Sequence, residues 1–519
     1  MNEQASKLVL ALDIGTTSVK ALLIDRLGQM KGRVSIGYPL NIPRPDMAEQ
    51  DPDTIYEAVA TAVHRLLQET GTPATDLLCV SLSSAMHSLI VVDAEHRPLT
   101  GSIIWADQRA VEQADRLNAD GTGLAIYRRT GVPIHPMTPL TKLLWLREHR
   151  PDLMLPGYSY VDIKAYVLQR LFGRSVMDYS IAGSTGLFNL HELDWDGGVL
   201  ELLGLSAAQL PELVPTDHVM VGLQPGEATK LGLLPDTPFV VGASDGVLAN
   251  LGAGVMNTDR VAVSIGTSSA VRTVVPEPLL DEQGKLFCYA LTKGNWVVGA
   301  PSNNGGIVLR WLVEQLFADE LGSGEGDPYE RLLELAQQAP AGANGLIFLP
   351  MLTGERAPYW KADTRAMYFG LSLSHGKAHM VRAALEGVMA QIASIVQLLE
   401  GLHVQPREVW ASGGFTQSVF GCQLMADMLG LPVCVPQLIE SSGLGAAMLG
   451  YAAMGKPMQA PSAEAAASQT RYLPDPARHA HYRKLLELHA RVYEGIKDSF
   501  HDVIALQAED TANLMGVLK

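Results

Sequence analysis

The chain has 519 residues, 47% of them hydrophobic and 18% charged, which is apolar enough to bury large cores and argues against a disordered polymer. At about 150 residues per domain this length suggests roughly three domains, and two large ones satisfy it as well. The net charge of −16, from 39 Lys+Arg against 55 Asp+Glu, offers no general attraction to nucleic acid or an anionic membrane. Any anion must therefore be held locally, by backbone N–H groups, a few cations or a metal.

Three short apolar runs open the chain, Lys7 to Leu12, Lys20 to Asp25 and Arg33 to Tyr38, punctuated by Gly28 and Gly32. They predict three antiparallel strands that feed a helix over Asp53 to Gln68. Leu77 to Leu82 and Leu89 to Val92 read as strands. Helical patterns follow at Arg109 to Asn118, Leu140 to His149 and Ile163 to Leu171. Phe239 to Gly242 predicts a strand running into a helix from Gly246 to Gly252. Strands then read at Val261 to Ile265, Val271 to Val275, Leu286 to Leu291 and Trp296 to Val298. Helices read at Gly306 to Phe317, Lys377 to Glu400, Ser418 to Met428 and Gly443 to Met454. Ala460 to Ala467 is a small-residue linker before a terminal helix over His479 to Lys497.

The four cysteines, Cys79, Cys288, Cys422 and Cys434, form no C-x-x-C pair, which suits a reducing compartment. The N-terminus lacks the ordered regions of a signal peptide. No stretch reaches ~18 apolar residues without a charge. The expectation is a soluble cytoplasmic protein with no membrane or nucleic-acid partner.

Residues 11–18 read ALDIGTTS and residues 262–269 read AVSIGTSS, 251 positions apart. A repeat at about half the chain length points to two copies of one fold. Glycine lets backbone approach a ligand closely. The Thr and Ser hydroxyls and the successive N–H groups donate to anionic oxygens. Two such hairpin loops can clamp a polyphosphate without a basic patch; for a single copy, an ordinary β-hairpin turn is the better explanation. Asp13 stands only in the first copy, where the second has Ser264. A carboxylate beside a phosphate loop calls for a cation, and Mg²⁺ binds through few carboxylates and many waters. There is no Walker A loop and no G-x-G-x-x-G fingerprint.

Gly242-Ala243-Ser244-Asp245-Gly246 matches the G-x-S-x-G elbow of serine hydrolases and sits between a strand and a helix. A Ser244 nucleophile is thus an alternative of another class, although no HGGG-type oxyanion motif accompanies it. In a phosphotransferase the working residue is instead Asp245, which can accept a hydroxyl proton as the oxygen attacks a γ-phosphate. The plainer role for that aspartate is a helix N-cap.

Two longer motifs complete the reading. Met137-Thr138-Pro139-Leu140-Thr141-Lys142-Leu143-Leu144-Trp145 continues to Glu148-His149, and Ala366-Met367-Tyr368-Phe369-Gly370-Leu371 is followed seven residues later by His379 to Glu386. Through them the chain, over roughly residues 8–455, resembles the FGGY carbohydrate kinases. The resemblance implies an α/β fold of two ribonuclease-H-like (actin-like ATPase) domains flanking a cleft, a sugar-binding domain over 1–254 and a nucleotide-binding domain over 255–519. It implies ATP and Mg²⁺ as cofactors. It casts Asp13 as the metal-associated carboxylate, Gly15, Thr16 and Thr17 as the first phosphate loop, and Gly266 and Thr267 as the second. Gly306 resembles a nucleotide-contacting glycine, and Gly413 and Gly414, with Ser418 nearby, the adenosine-site loop. Phe415 departs from the small residue of many relatives. Asp245 resembles the catalytic base.

Substrate contacts resemble Met86 and His87, then Asp107 and Arg109 within Trp105 to Arg109. A polyol needs several hydrogen-bonding side chains at once, which favours this reading of Asp107 and Arg109 over a surface salt bridge between them. Gly37 to Leu40 with Ala48 to Pro52, Gly183 to Asn189 and Asn303 to Trp311 look like the gluconokinase branch, whereas xylulokinases usually read Ser-Gly-Gln-Met-His-Gly where this chain has Ser83 to Ser88. A sugar acid's carboxylate demands a partner. Lys164 is the candidate, with a solvated helix lysine as the alternative. The expected reaction is ATP-dependent phosphorylation of a sugar acid, D-gluconate first and xylulose or another polyol second. A non-enzymatic ATP switch stands as a further alternative. The oligomeric state, a homodimer included, is left open.

Overall fold

The computed structural model describes residues 7–321, 326–436, 440–458 and 470–507. The linker read over Ala460 to Ala467 lies outside the described residues. Two compact units emerge: one of residues 1–257, 274–298 and 438–468, the other of 258–273, 299–437 and 469–519.

In the first unit, β1 (Leu8–Ile14), β2 (Ser18–Ile24) and β3 (Met30–Gly37) form the antiparallel start. The burial follows the sequence: β1 and β2 are nearly continuous apolar runs and are buried, whereas β3 alternates toward solvent at the sheet edge. Helix α1 (Pro52–Thr70) then leads to β4 (Leu77–Ser84), which lies parallel to β1. The helix begins one residue earlier than its apolar spacing indicates and ends two later. Asp51 caps it by accepting from the Asp53 N–H, Pro52 suits the first turn, and Gly71 closes it in a left-handed conformation.

Beyond two nine-residue helices at Val111–Ala119 and Thr122–Thr130 come α2 (Pro139–His149), α3 (Ile163–Phe172) and the short α4 (Tyr179–Gly183). Then β5 (Val219–Met220) and β6 (Phe239–Ser244) complete a six-stranded sheet ordered β5-β6-β4-β1-β2-β3. Helix α5 (Asp245–Gly252) leaves β6 directly.

The other major sheet repeats this plan. Its strands are β7 (Arg260–Ile265), β8 (Ser269–Val275), β9 (Phe287–Thr292) and β10 (Asn295–Ser302). After α6 (Gly306–Trp311), α7 (Pro328–Gln337) and α8 (Lys377–Gly401) come β11 (Glu408–Ser412), α9 (Val419–Leu429) and β12 (Val433–Val435). Helix α10 (Ser441–Ala453) belongs to the first unit, and β13 (Thr470–Tyr472) and α11 (Pro476–Ile496) follow it, with residues 499–507 also helical. The order is β9-β10-β8-β7-β11-β12-β13.

Strand β7 pairs antiparallel with β8 and parallel with β11, as β1 does with β2 and β4. The sequence repeat is therefore a repeat of topology. The single helix expected over Gly306 to Phe317 is instead α6 followed by a π-helical turn at Leu312–Leu316, an irregularity that apolar periodicity does not encode. Helix α8 is long and apolar enough to cross a membrane, but 78% of its most apolar window is buried in the protein; it is a core helix. All four cysteines are buried and free.

Candidate active site

Three adjacent parallel strands of the first unit end together. Asp13 on β1 is in register with Ser83 on β4, and Ser84 on β4 with Ser244 on β6. The carboxyl ends of parallel strands are where open α/β sheets bind ligands. Asp13, the Met86–His87 turn and Asp245 all sit at or just beyond this edge. Asp13 is 7% exposed. Its Oδ1 accepts from Ser83 Oγ at 2.7 Å and its Oδ2 from Ser442 Oγ at 2.9 Å.

Asp245 is the first residue of α5, and Ser244 is the capping residue. One Asp245 oxygen accepts from the Gly246 N–H at 2.6 Å. The parallel ladder slips between Val240 and Ala243. Gly242 makes that possible: its φ is +75°, and a Cβ would lie 1.7 Å from the Leu82 carbonyl. The first glycine of the G-x-S-x-G match thus serves a bulge. Ser244 is fully buried, with its hydroxyl 2.9 Å from that of Ser180. Among the described residues no histidine bonds to it, so the hydrolase alternative lacks both access and a base.

His87 has φ +67°, an uncommon region for a non-glycine residue. Its Nδ1 lies 2.8 Å from the Ser184 carbonyl. Met86 packs partly buried against two core clusters. The first glycine loop is built tightly. Gly15 N donates to Ser18 O at 3.0 Å, and Gly15 O accepts from the Tyr38 hydroxyl. The Thr16 hydroxyl accepts from Trp105 Nε1 at 3.0 Å and its carbonyl from Gln50. Thr17 O accepts from the Tyr38 N–H.

Asp107 and Arg109 do pair, but not on the surface. Asp107 is fully buried; its oxygens accept from the Ala48 N–H and from Arg109 Nε and Nη2 at 2.7–2.8 Å. Arg109 also reaches Glu49 at 2.5 Å, and its guanidinium lies 5.1 Å from the centre of the Trp145 ring. Burial opposes its charge, but Asp107 and Glu49 outweigh that and raise its pKa.

Lys164 requires a correction. It is not a solvated helix lysine, being 1% exposed, and its ammonium is already committed to Asp178 at 2.5 Å and to the Ala243 carbonyl at 3.3 Å. A substrate carboxylate would have to displace a buried ion pair to use it.

Sequence reading passed over Lys142 as a motif residue in a core helix. It is fully buried on α2, and its ammonium donates to the carbonyls of His87, Ile103 and Ile104 at 2.6, 3.0 and 2.9 Å.

In the second unit, Gly266 and Thr267 form the β7–β8 turn. Gly266 O accepts from the Gly306 N–H at 2.7 Å, and Thr267 O from the Gly305 and Ile307 N–H groups. A Cβ at Gly306 would lie 2.7 Å from Gly266 O, so the close approach at that position needs glycine. Gly413 leaves β11 with φ +95°, Gly414 opens a 3₁₀ turn, and Ser418 caps α9 by accepting from the Gly421 N–H. Gly266, Thr267, Gly306, Gly414 and Ser418 all line one cavity of about 830 Å³, and Phe415 forms part of its wall. That size suits a nucleotide-scale ligand.

Glu355, which no sequence signal marked, gathers a buried polar cluster in the second unit. It is fully buried and accepts from Ser302 Oγ, the Asn303 and Arg356 N–H groups, Asn304 Nδ2 and Gln391 Nε2. Burial raises its pKa against those donors.

Two related sheets, each with a glycine hairpin loop beside its parallel strands, define the actin-like ATPase fold. Residues 8–252 match the N-terminal domain and residues 261–454 the C-terminal domain of the FGGY family of carbohydrate kinases; the chain belongs to that family. It is 43% identical to the gluconokinase of Bacillus subtilis (strain 168), over 86% of this chain and 88% of that one. It is 40% identical to the gluconokinase of Bacillus licheniformis, over 96% and 98%. A xylulose kinase of Bacillus subtilis is 28% identical over 95% and 98%. Among solved structures, a gluconate kinase from Lactobacillus acidophilus superposes with a TM-score of 0.89 at 35% identity, covering 96% of this chain and 99% of that one. A ligand-bound xylulose kinase from the same organism gives the same score and identity, over 96% and 100%.

Proposed function

We propose that the protein transfers the γ-phosphoryl group of ATP to the terminal hydroxyl of D-gluconate. The observation that carries the reading is the placement of Asp13, the Met86–His87 turn and Asp245 at the ends of three adjacent parallel strands. Asp245 takes the hydroxyl proton as that oxygen forms a bond to the γ-phosphorus. The bond from phosphorus to the β,γ-bridging oxygen breaks, and ADP leaves. Met86, His87 and the Asp107–Arg109 loop hold the sugar acid within residues 1–254. Gly266, Thr267, Gly306, Gly413, Gly414 and Ser418 hold the nucleotide within residues 255–519, and Gly15, Thr16 and Thr17 the transferring phosphate.

Asp13 is the residue that would hold Mg²⁺. A single carboxylate flanked by two serine hydroxyls fits an ion that keeps most of its waters. Among the described residues no group of three or more His, Cys, Asp or Glu side chains could hold a metal. The ion would neutralise charge on the phosphate oxygens.

Gluconate is favoured over xylulose by the relatives' identities, 43% and 40% for the two Bacillus gluconokinases against 28% and 35% for the two xylulose kinases. The xylulose reading remains second, supported by the equal structural likeness to the ligand-bound xylulose kinase. The test is ATP-coupled product formation over gluconate, xylulose, ribulose and glycerol. Turnover of xylulose with none of gluconate overturns the substrate. Asp245→Asn is expected to lower kcat by about 10²–10⁴-fold while ATP binding persists; near-full turnover overturns the base.

A further inference from the structure

We infer that Lys142 is a positioning residue for the sugar-acid site, holding the His87 turn and the Trp105–Arg109 loop at a fixed separation. The inference rests on the reading that those two segments bind the acceptor.

A lysine that is fully buried is costly unless its charge is matched. Among the described residues no carboxylate lies within ion-pair distance of Lys142. Its three ammonium hydrogens go instead to three carbonyls, His87 on one side and Ile103 and Ile104 on the other. Burial pushes its pKa down to about 7, with Asp107 opposing that shift and Arg109 adding to it. An apolar side chain would fill the same core position at less cost, so the cation's worth lies in what its acceptors carry.

His87 lies in the first of the two polar segments, and Ile103 and Ile104 lead directly into the second. His87 holds a left-handed backbone, which costs energy unless its surroundings fix it. Lys142 grips its carbonyl, while Ser184 meets its ring. On the other side, Ile104 O also accepts from the Asp107 N–H, so the ammonium adjoins the turn that leads to Asp107 and Arg109. One turn further along α2, Trp145 lies against the Arg109 guanidinium. Helix α2 therefore carries a bracket with two arms: Lys142 sets the distance between the loops, and Trp145 sets the tilt of Arg109.

The test is steady-state kinetics of Lys142→Met, Lys142→Gln and Lys142→Arg with gluconate and ATP varied separately. The neutral variants are expected to raise the gluconate KM about 10–100-fold, the effect of a reacting group held about 1 Å out of place. The ATP KM should change by much less, about twofold, because Gly266, Thr267, Gly306, Gly414 and Ser418 draw on none of these contacts and only the Thr16 hydroxyl meets the braced loop, through Trp105. Lys142→Arg should recover part of the loss. Gln keeps two N–H donors and serves if Met does not fold, with ATP binding reporting on folding. An unchanged gluconate KM, or an equal rise in both KM values, overturns the inference. If the wild type phosphorylates another acceptor and not gluconate, the substrate reading fails instead, and the same variants are read with that acceptor.

Discussion

The Lys164–Asp178 pair sits behind the end of β6, against the Ala243 carbonyl. Asp178 also caps α4 through the Ser180 and Ile181 N–H groups, and Ser180 in turn meets Ser244. Removing one partner of a buried pair leaves the other charge uncompensated. Lys164→Met is therefore expected to cost about 3–5 kcal/mol, read as a lower urea midpoint. Lys164→Met with Asp178→Asn should recover most of it, because Asn keeps the cap. Neighbouring Asp162 supplies a pH dependence. Burial raises its pKa to about 6 against the pull of Lys164. A carboxylate with a raised folded pKa loses stability as pH climbs from about 4 to 6, since only the folded state holds the proton there. Asp162 caps α3, a role Asn can share. Asp162→Asn should match the wild type near pH 4 and exceed it by up to about 3 kcal/mol above pH 6; a constant difference across that range would refute the assignment.

At the scale of elements, the two glycine hairpins are alike in length and unlike in support. The first is held by side chains: Tyr38, Gln50 and Trp105 all bond to it. The second is held by backbone, through the start of α6. Gly306→Ala should therefore act on the nucleotide alone. Its Cβ would press on Gly266 O at 2.7 Å, and the expected result is an ATP KM raised by about tenfold or more with the gluconate KM unchanged. The hairpins and the strand–helix alternation were legible because short apolar runs and glycine punctuation are local signals. The π-helical turn after α6 and the early start of α1 were not, since caps and ladder irregularities depend on individual hydrogen bonds.

Across the whole molecule, a chain at −16 offers no general attraction to phosphate, and the proposed nucleotide site accordingly relies on N–H groups and hydroxyls rather than a basic patch. Saturating nucleotide should stabilise the protein by mass action, about 2.7 kcal/mol at a hundredfold excess over Kd. The readout is a rise in Tm that follows ATP or ADP concentration; no shift at millimolar nucleotide would contradict a nucleotide site in the cavity. The α/β class, the duplicated hairpin and the kinase family could all be read along the chain, because each rests on local pattern or on contiguous motifs. Folding alone decided which charged side chains stand open and which are sealed. Lys164 and Lys142 look alike in sequence as helix lysines, yet one is locked to a carboxylate and the other to three carbonyls. Asp13 meets Ser442 across 429 residues of chain. Such partners come together only when strands and helices pack, and no periodicity in the sequence connects them.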